Sequence, residues 1–303
     1  MTATRPAVTH VYQNHTLDST RWDHFSPRDD DIVIATPYKS GTTWMQIIVM
    51  HLIFGDLQVR PIWEVSPWLE RRWGDALADL LKTVGAQQHR RFFKTHLPLD
   101  GLPYFEQVKY IVVGRDPRDV FMSLWNFYAS FDDGLYDVIN SGWTGKPFPR
   151  CPGDIHDFWQ RWNSEGWFEW EHEGYPFWSN MRHVQTWWQF KHLPNILFVH
   201  FNDLLSNLEE EIQRIAKFLD IPLTPSFCAQ VADMVTFKRV KEHAEQLGPP
   251  QDFFYKGTNG RWHDVLTDAD LELYHAAVVR ELSPGCADWL ENGRHSTGHG
   301  RPL

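Results

Sequence analysis

The sequence predicts an α/β fold, a single three-layer α/β/α domain around a central parallel sheet. Short apolar runs typical of buried strands alternate with amphipathic helical segments along the chain. This alternation is typical of a parallel sheet covered by helices on both faces. The chain has 303 residues without an internal repeat or a linker, which favours one large domain. Strands are predicted at 32–36, 91–94, 110–113 and 196–200, and helices at 42–54, 117–129 and 207–219.

The loop between the first strand and the first helix has the pattern of a phosphate cradle. It runs Pro37-Tyr-Lys-Ser-Gly-Thr-Thr-Trp44, and the helical spacing of apolar residues after it stops near Gly55. Backbone N–H groups at a helix N-terminus favour a bound phosphate, and Lys39 adds a full positive charge. Because this lysine precedes the only glycine of the loop, the fold is P-loop-like but lacks the Walker A order. The residues expected to contact phosphate are Lys39, Ser40, Gly41, Thr42 and Thr43.

The second strand, 91–94, ends in Lys94, and His96 follows two residues later. Residues two apart in an extended chain share a face, and ligands bind beyond the carboxyl ends of parallel strands. A histidine at such a place titrates near neutral pH and can act as a general base. A single histidine is more often a structural residue, so the functional interpretation of this segment depends on the other motifs of the chain.

The third strand, 110–113, leads into a helix whose start is well marked. Asp116 is a favoured N-cap residue and Pro117 suits the first helical position. Arg115 lies at the end of the strand, and Ser123 lies about two turns into the helix. The arginine fork binds phosphate through two parallel hydrogen bonds. The alternative is a turn with surface ion pairs, which contribute little.

The fourth strand, 196–200, precedes the helix predicted at 207–219. Ser206 and Glu209 have the spacing of a capping box, which marks a helix N-terminus. Apolar residues then recur at the spacing of a helix with one buried face.

Taken in this order, the segments resemble those of the cytosolic-type sulfotransferases. That family transfers a sulfonate group from 3′-phosphoadenosine 5′-phosphosulfate to an acceptor hydroxyl or amine. Pro37–Trp44 is similar to the family's 5′-phosphosulfate loop, and Lys94–Pro98 to its catalytic segment. Arg115–Ser123 is similar to its 3′-phosphate motif. The resemblance spans residues 31–262, most of the chain.

The segment 253–262 resembles the family's C-terminal loop, which closes over the nucleotide. The match is imperfect, because Tyr255 stands where the family usually has arginine and Arg261 stands where aspartate is common. Lys256 and Gly257 are retained. The exchange at position 255 predicts either weaker nucleotide binding or compensation by another arginine.

The resemblance also implies a role for each candidate residue. His96 is the implied general base, and Trp44, Phe237 and Phe201 are the flat partners that an adenine ring needs. The implied co-substrate leaves as adenosine 3′,5′-bisphosphate, and the family needs no metal. The implied catalytic residues are His96, Lys39 and Lys94. The implied nucleotide-binding residues are Lys39, Ser40, Gly41, Thr42, Thr43, Trp44, Arg115, Ser123, Phe201, Thr236, Phe237, Tyr255, Lys256 and Gly257.

Residues 1–292 are predicted to form the sulfotransferase domain, and 293–303 a disordered polar tail. The long stretch from about 131 to 180 reads as an irregular insertion on the acceptor side, since long loops in compact domains are usually functional or disordered. Many of the 16 tryptophans fall there. They indicate either an apolar wall for an aromatic, lipid or glycolipid acceptor, or simply core packing.

The composition of the chain limits the classes of ligand and the cellular compartment that we expect. A net charge of −10 disfavours nucleic acids and polyanionic sugars as ligands. Three well-separated cysteines offer neither a metal spacing nor a disulfide framework, which fits a reducing cytoplasm. No stretch has the length and hydropathy of a signal peptide or a membrane span, so we expect a cytoplasmic protein that acts on a small molecule. A homodimer is possible, although the family's usual contact motif is not evident after Trp262.

Two other functions stay open at this point. A small-molecule kinase would use ATP with Mg²⁺, but the position of Lys39 disfavours it. A non-catalytic nucleotide- or lipid-binding protein would need no base at His96. The acceptor itself is not predicted beyond an aromatic or lipid-like class.

Overall fold

A computed structural model describes residues 5–143, 145–248 and 257–294. Its centre is a four-stranded parallel sheet with the strand order β2-β1-β3-β4. All four predicted strands are confirmed, and their ends differ from the prediction by at most one residue. The strands are β1 (Ile32–Ala35), β2 (Phe92–Thr95), β3 (Lys109–Gly114) and β4 (Ile196–His200).

Helices cover both faces of this sheet. Three short 3-10 helices, Ser19–His24, Leu99–Gly101 and Arg261–Asp264, complete the described elements. The α-helices are α1 (Thr42–Phe54), α2 (Ile62–Val65), α3 (Leu77–Ala86), α4 (Pro117–Ala129), α5 (Asp133–Asn140), α6 (Ile155–Ser164), α7 (Met181–Trp188), α8 (Phe201–Ser206), α9 (Leu208–Phe218), α10 (Pro225–Met234), α11 (Phe237–Glu242), α12 (Ala244–Leu247), α13 (Asp268–Glu281) and α14 (Pro284–Asn292).

The strands alternate their side chains between two separate hydrophobic cores. From β1, Val33 and Ala35 enter the core shared with α4, α6 and α7. Ile32 and Ile34 enter the core shared with α1, α9 and α10. Because successive strand residues point to opposite faces, each face of the sheet carries its own helical layer. The three-layer α/β/α fold is confirmed.

Helix ends follow the sequence signals in α1 and α4 but not in α9. Gly41 and Gly55 flank α1 with φ angles of 99° and 65°, which glycine adopts easily. The Asp116 carboxylate accepts the backbone N–H of Arg118 at the start of α4. The predicted capping box is wrong, because the Ser206 hydroxyl donates to carbonyl groups inside α8 and α9 starts after Asn207.

The stretch 131–180 is less irregular than predicted, because it contains α5 and α6. Trp159 and Trp162 of α6 are fully buried, so core packing accounts for these two tryptophans. At the other end of the chain, the backbone N–H of Arg294 donates to Asp203, so the packed chain continues to Arg294. Residues 295–303 of the predicted tail lie outside the described residues.

Candidate active site

A cleft of about 310 Å³ lies beyond the carboxyl ends of β1, β3 and β4. This is the edge at which parallel sheets bind ligands, since the loops that follow the strands meet there. The cleft brings together most of the residues predicted from sequence. Those in its lining are Lys39, Gly41, Thr42, Thr43, Trp44, Arg115, Ser123, Phe201, Thr236, Phe237 and Gly257.

The loop after β1 turns sharply to present its backbone to the cleft. Lys39 has a φ of 59° and Gly41 a φ of 99°, both in the left-handed region. A side chain at position 41 would meet the Phe201 ring at 3.0 Å, so glycine is needed for space as well as for conformation. Ser40 is fully buried and does not line the cleft.

Lys39 carries a charge that its surroundings disfavour. Burial, and then the nearby Arg115, lower the pKa of the lysine to about 7. Its ammonium lies 4.4 Å from the centroid of the Phe127 ring, a weak cation–π contact. A bound anion would favour the charged form, so this lysine is sensitive to the arrival of a phosphate.

Arg115 connects the loop after β1 with the segment that follows residue 257. Its guanidinium donates to the Lys39 carbonyl at 3.0 Å and to Asn259 Oδ1 at 3.0 and 2.6 Å. The same group lies 4.2 Å from the Phe201 ring centroid. Burial lowers its pKa to about 10, which leaves it charged at neutral pH. Arg115 is therefore a fixed cation in the wall of the cleft.

Another part of the cleft is apolar and aromatic. The rings of Trp44 and Phe201 lie 5.3 Å apart, and the Trp44 indole N–H donates to the Val235 carbonyl at 2.8 Å. Phe237 is 38% exposed, and a Cβ on Gly257 would come within 2.3 Å of its ring. This half of the cleft suits a flat heterocycle, since any base offers a π face for stacking.

His96 lies outside the lining of the cleft. It is 8% exposed, and its Nδ1 is 2.8 Å from the Thr36 carbonyl. Because a carbonyl only accepts, Nδ1 carries the proton and Nε2 keeps its lone pair. Burial, followed by the charge of Lys94, lowers the pKa of His96 to about 3. The imidazole is therefore neutral at neutral pH, in the tautomer of a base.

Glu70, which the sequence did not single out, fixes the surroundings of His96. The carboxylate is fully buried and accepts the His96 backbone N–H at 2.8 Å and the Thr95 hydroxyl at 3.0 Å. It also accepts two indole N–H groups, from Trp22 at 2.8 Å and Trp68 at 2.5 Å. Burial raises the pKa of Glu70. No local motif surrounds this residue, so its role emerges only from the fold.

The Trp68 indole contacts both Lys94 of β2 and His96, which follows that strand. The Lys94 ammonium lies 4.3 Å from a Trp68 ring centroid, and the His96 ring meets the same indole edge-on at 5.1 Å. Burial lowers the pKa of Lys94 to about 8. Lys39 and Lys94 both lower the pKa of His96, so all three predicted catalytic residues lie close together.

The stretch 131–180 supplies a wall beside this group. The Trp178 ring centroid lies 5.7 Å from that of His96 and 5.3 Å from that of Tyr38. The Trp162 indole N–H donates to the Tyr38 hydroxyl at 2.9 Å. This stretch thus packs against both the loop after β1 and His96.

Several features limit or extend the sequence prediction. Tyr255 and Lys256 lie outside the described residues. Thr258 and Arg261, which were not assigned a role, line the cleft.

Within the described ranges, no group of three or more His, Cys, Asp or Glu side chains is arranged to hold a metal ion. In the same ranges, no helix has the length and hydropathy needed to span a membrane.

Residues 29–284 match the family model described as the sulfotransferase domain. The chain is 31% identical over 310 residues to the glycolipid sulfotransferase of Mycobacterium bovis (strain BCG / Pasteur 1173P2), with 94% of each chain covered. It is 27% identical over 288 residues to sulfotransferase 2A1 of Macaca fascicularis, with 90% of each covered. The fold is similar to a crystal structure of mouse sulfotransferase SULT7A1 complexed with PAP, with a TM-score of 0.65 at 21% identity, covering 86% of this chain and 87% of that chain.

Proposed function

The chain belongs to the sulfotransferase family, and we propose that it transfers a sulfonate group from 3′-phosphoadenosine 5′-phosphosulfate to a hydroxyl of a glycolipid-like acceptor, with His96 as the general base. One observation carries this proposal. A neutral histidine with an Nε2 lone pair lies beside two lysines, and one of them, Lys39, also lines the cleft together with Arg115 and Ser123. A nucleotide-binding protein without catalysis has no need of that combination.

The cleft would hold the nucleotide along its length. The aromatic half, with Trp44 and Phe237, suits the adenine. Arg115 and Ser123 suit the 3′-phosphate, since a guanidinium and a hydroxyl both donate to phosphate oxygens. The backbone N–H groups at the start of α1, together with Lys39, suit the 5′-phosphosulfate.

His96 would take the acceptor proton as the new bond forms. Its Nδ1–H donates to Thr36, so Nε2 is the nitrogen left to accept a proton. The acceptor oxygen then bonds to sulfur while the bond from sulfur to the phosphate oxygen breaks, and its electron pair stays on that oxygen. The products are the sulfated acceptor, adenosine 3′,5′-bisphosphate and one proton, which His96 later releases.

Lys39 and Lys94 would stabilise the charge that spreads over the transferring group. Transfer of this kind depends on positioning and on fixed charges in a site with little water. Both ammonium groups are desolvated, which lowers the pKa of Lys39 to about 7 and that of Lys94 to about 8. Desolvated cations interact more strongly with an anion than hydrated ones do.

The acceptor class is proposed from two observations, the name of the mycobacterial relatives and the aromatic side chain beside His96. The relatives at 31% identity are named glycolipid sulfotransferases. The Trp178 ring lies 5.7 Å from that of His96, and an indole face packs well on a lipid chain or a sugar ring.

The test is an assay with 3′-phosphoadenosine 5′-phosphosulfate in EDTA and a panel of glycolipids, phenols, alcohols and amines. We expect adenosine 3′,5′-bisphosphate and one sulfated product to form in equal amounts, with glycolipids as the best acceptors. ATP with Mg²⁺ serves as the matched co-substrate control and should give no phosphorylated product. Nucleotide binding without turnover on any acceptor would refute the glycolipid proposal, and phosphorylation from ATP would refute the reaction.

A further inference from the structure

The segment that follows Gly257 is tied closely to α4. The backbone N–H of Gly260 donates to the Asp119 carboxylate at 2.7 Å. The Arg118 guanidinium lies 4.2 Å from the Trp262 ring centroid. Arg261 lies between these two attachment points. Because both of its neighbours are held against α4, its backbone has a defined position at the edge of the cleft.

The same helix also carries Ser123 into the cleft. Asp119 and Ser123 are four residues apart, so they lie on one face of α4. Since Asp119 holds Gly260, the next residue along, Arg261, lies next to the face that bears Ser123. Arg261 and Ser123 both line the cleft. The sequence and the fold therefore bring a second guanidinium to the neighbourhood of Arg115 and Ser123.

Arg115 has limited capacity to bind a phosphate alone. A guanidinium has five N–H donors. Among the described residues, four donor contacts of Arg115 go to protein oxygens, on Lys39, Thr258 and Asn259. Asn259 is itself held by Asn202. Bidentate binding of phosphate by Arg115 would therefore break existing hydrogen bonds to protein oxygens. A second donor group would let the phosphate bind without that loss.

The two guanidinium groups already influence each other electrostatically. After burial, the charge of Arg261 contributes to lowering the pKa of Arg115 to about 10, whereas Asp119 and Asp116 raise it. Two cations that share a cleft repel until an anion lies between them. A phosphate with close to two negative charges is the ligand that relieves this repulsion.

We propose that Arg261 binds the 3′-phosphate of the nucleotide together with Arg115 and Ser123. It supplies the positive charge that the sequence lacks at Tyr255, where related sequences usually have arginine. The inference rests on the proposed function, since it assumes that the cleft holds the adenosine 3′,5′-bisphosphate unit.

The experiment is calorimetric binding of two ligands to the full chain. Adenosine 3′,5′-bisphosphate has the 3′-phosphate, and adenosine 5′-phosphate lacks only that group. We expect Arg261→Ala to weaken binding of the bisphosphate by about 20-fold, the scale of hydrogen bonds to a charged partner, and to change binding of the monophosphate less than about twofold. Arg261→Lys keeps the charge but loses the fork, so it should recover part of the loss.

Arg239→Ala is the matched control. Arg239 is exposed on α11, two residues after Phe237 of the cleft lining, but does not itself line the cleft. Its replacement by alanine changes the net charge by the same amount as Arg261→Ala. It should leave both affinities unchanged, and a thermal melt checks that each variant is folded. An equal loss for both ligands, or no loss for either, would overturn the role of Arg261. If the unaltered protein fails to bind the bisphosphate, the proposed function itself falls.

Discussion

The buried ammonium of Lys39 makes nucleotide binding depend on pH. Burial and Arg115 lower the pKa of this lysine to about 7. Only its charged form attracts a phosphosulfate or a phosphate, and the bound anion raises the pKa again. Affinity should therefore fall as the pH rises through about 7, because the protein must first take up a proton to bind.

The size of the effect follows from the pKa. A lysine with a pKa of about 7 is about half protonated at pH 7 and about 1% protonated at pH 9. If the bound form stays protonated, the apparent Kd for adenosine 3′,5′-bisphosphate rises about 50-fold over this range, or about 2.3 kcal/mol. At pH 8, binding should take up about 0.9 proton per nucleotide.

Calorimetry in two buffers with different ionisation enthalpies measures both quantities. The range starts at pH 7 because a phosphate loses its second proton near pH 6. Lys39→Met should bind weakly with no proton uptake and no slope between pH 7 and 9. Lys94→Met, which removes the other desolvated lysine, should keep the slope. A flat profile in the unaltered protein, or a slope that survives Lys39→Met, would refute the reasoning.

Three further predictions concern the base, its support and the cleft. His96→Ala should lower kcat by about 10²- to 10⁴-fold while the Kd of adenosine 3′,5′-bisphosphate changes less than about twofold, and lost binding would contradict the base role. Glu70→Gln places an amide N–H donor among the N–H and O–H donors that the carboxylate now accepts. Urea unfolding should therefore show a free energy of unfolding lower by about 2–3 kcal/mol, and kcat should fall. Unchanged stability would argue against the role of this carboxylate. Gly257→Ala brings a methyl group within 2.3 Å of the Phe237 ring and should weaken the same nucleotide about tenfold. Gly55→Ala has a similar φ of 65° with nothing within 4 Å, so it should leave affinity unchanged, and an equal effect there would assign the loss to backbone strain.

Much of the fold could be predicted because its signals are local. Four apolar strands and the capping residues of α1 and α4 depend on a few neighbouring residues each, and the structure confirms them. The motif residues could be found for a related reason. A phosphate loop needs a lysine and a glycine at fixed places in a strand-to-helix turn, whatever the rest of the chain does.

What the sequence did not predict depends on contacts between distant residues. Glu70 is far along the chain from Trp22 and His96, yet it binds both, and only the fold brings them together. Asn259 is tied to Arg115 across 144 positions. The false capping box at Ser206 has a different cause. A serine hydroxyl can bond back to a carbonyl of its own helix as easily as it can cap the next one.

The cleft is organised around Arg115, and this has a consequence for how the nucleotide is bound. The Arg115 guanidinium donates to the Lys39 carbonyl on one side and to Asn259 on the other. It therefore joins the loop expected to hold the 5′-phosphosulfate to the segment expected to hold the 3′-phosphate. The charge of Arg115 also lowers the pKa of Lys39, and the charge of Arg261 lowers the pKa of Arg115. An anion at either end weakens the repulsion felt at the other, so the two phosphate groups of one nucleotide should bind cooperatively. On this reasoning, a ligand without the 3′-phosphate should leave Lys39 with a lower pKa in the complex. Binding of adenosine 5′-phosphate at pH 8 should therefore take up fewer protons than binding of adenosine 3′,5′-bisphosphate. Equal proton uptake by the two ligands would mean that the two ends of the cleft act independently.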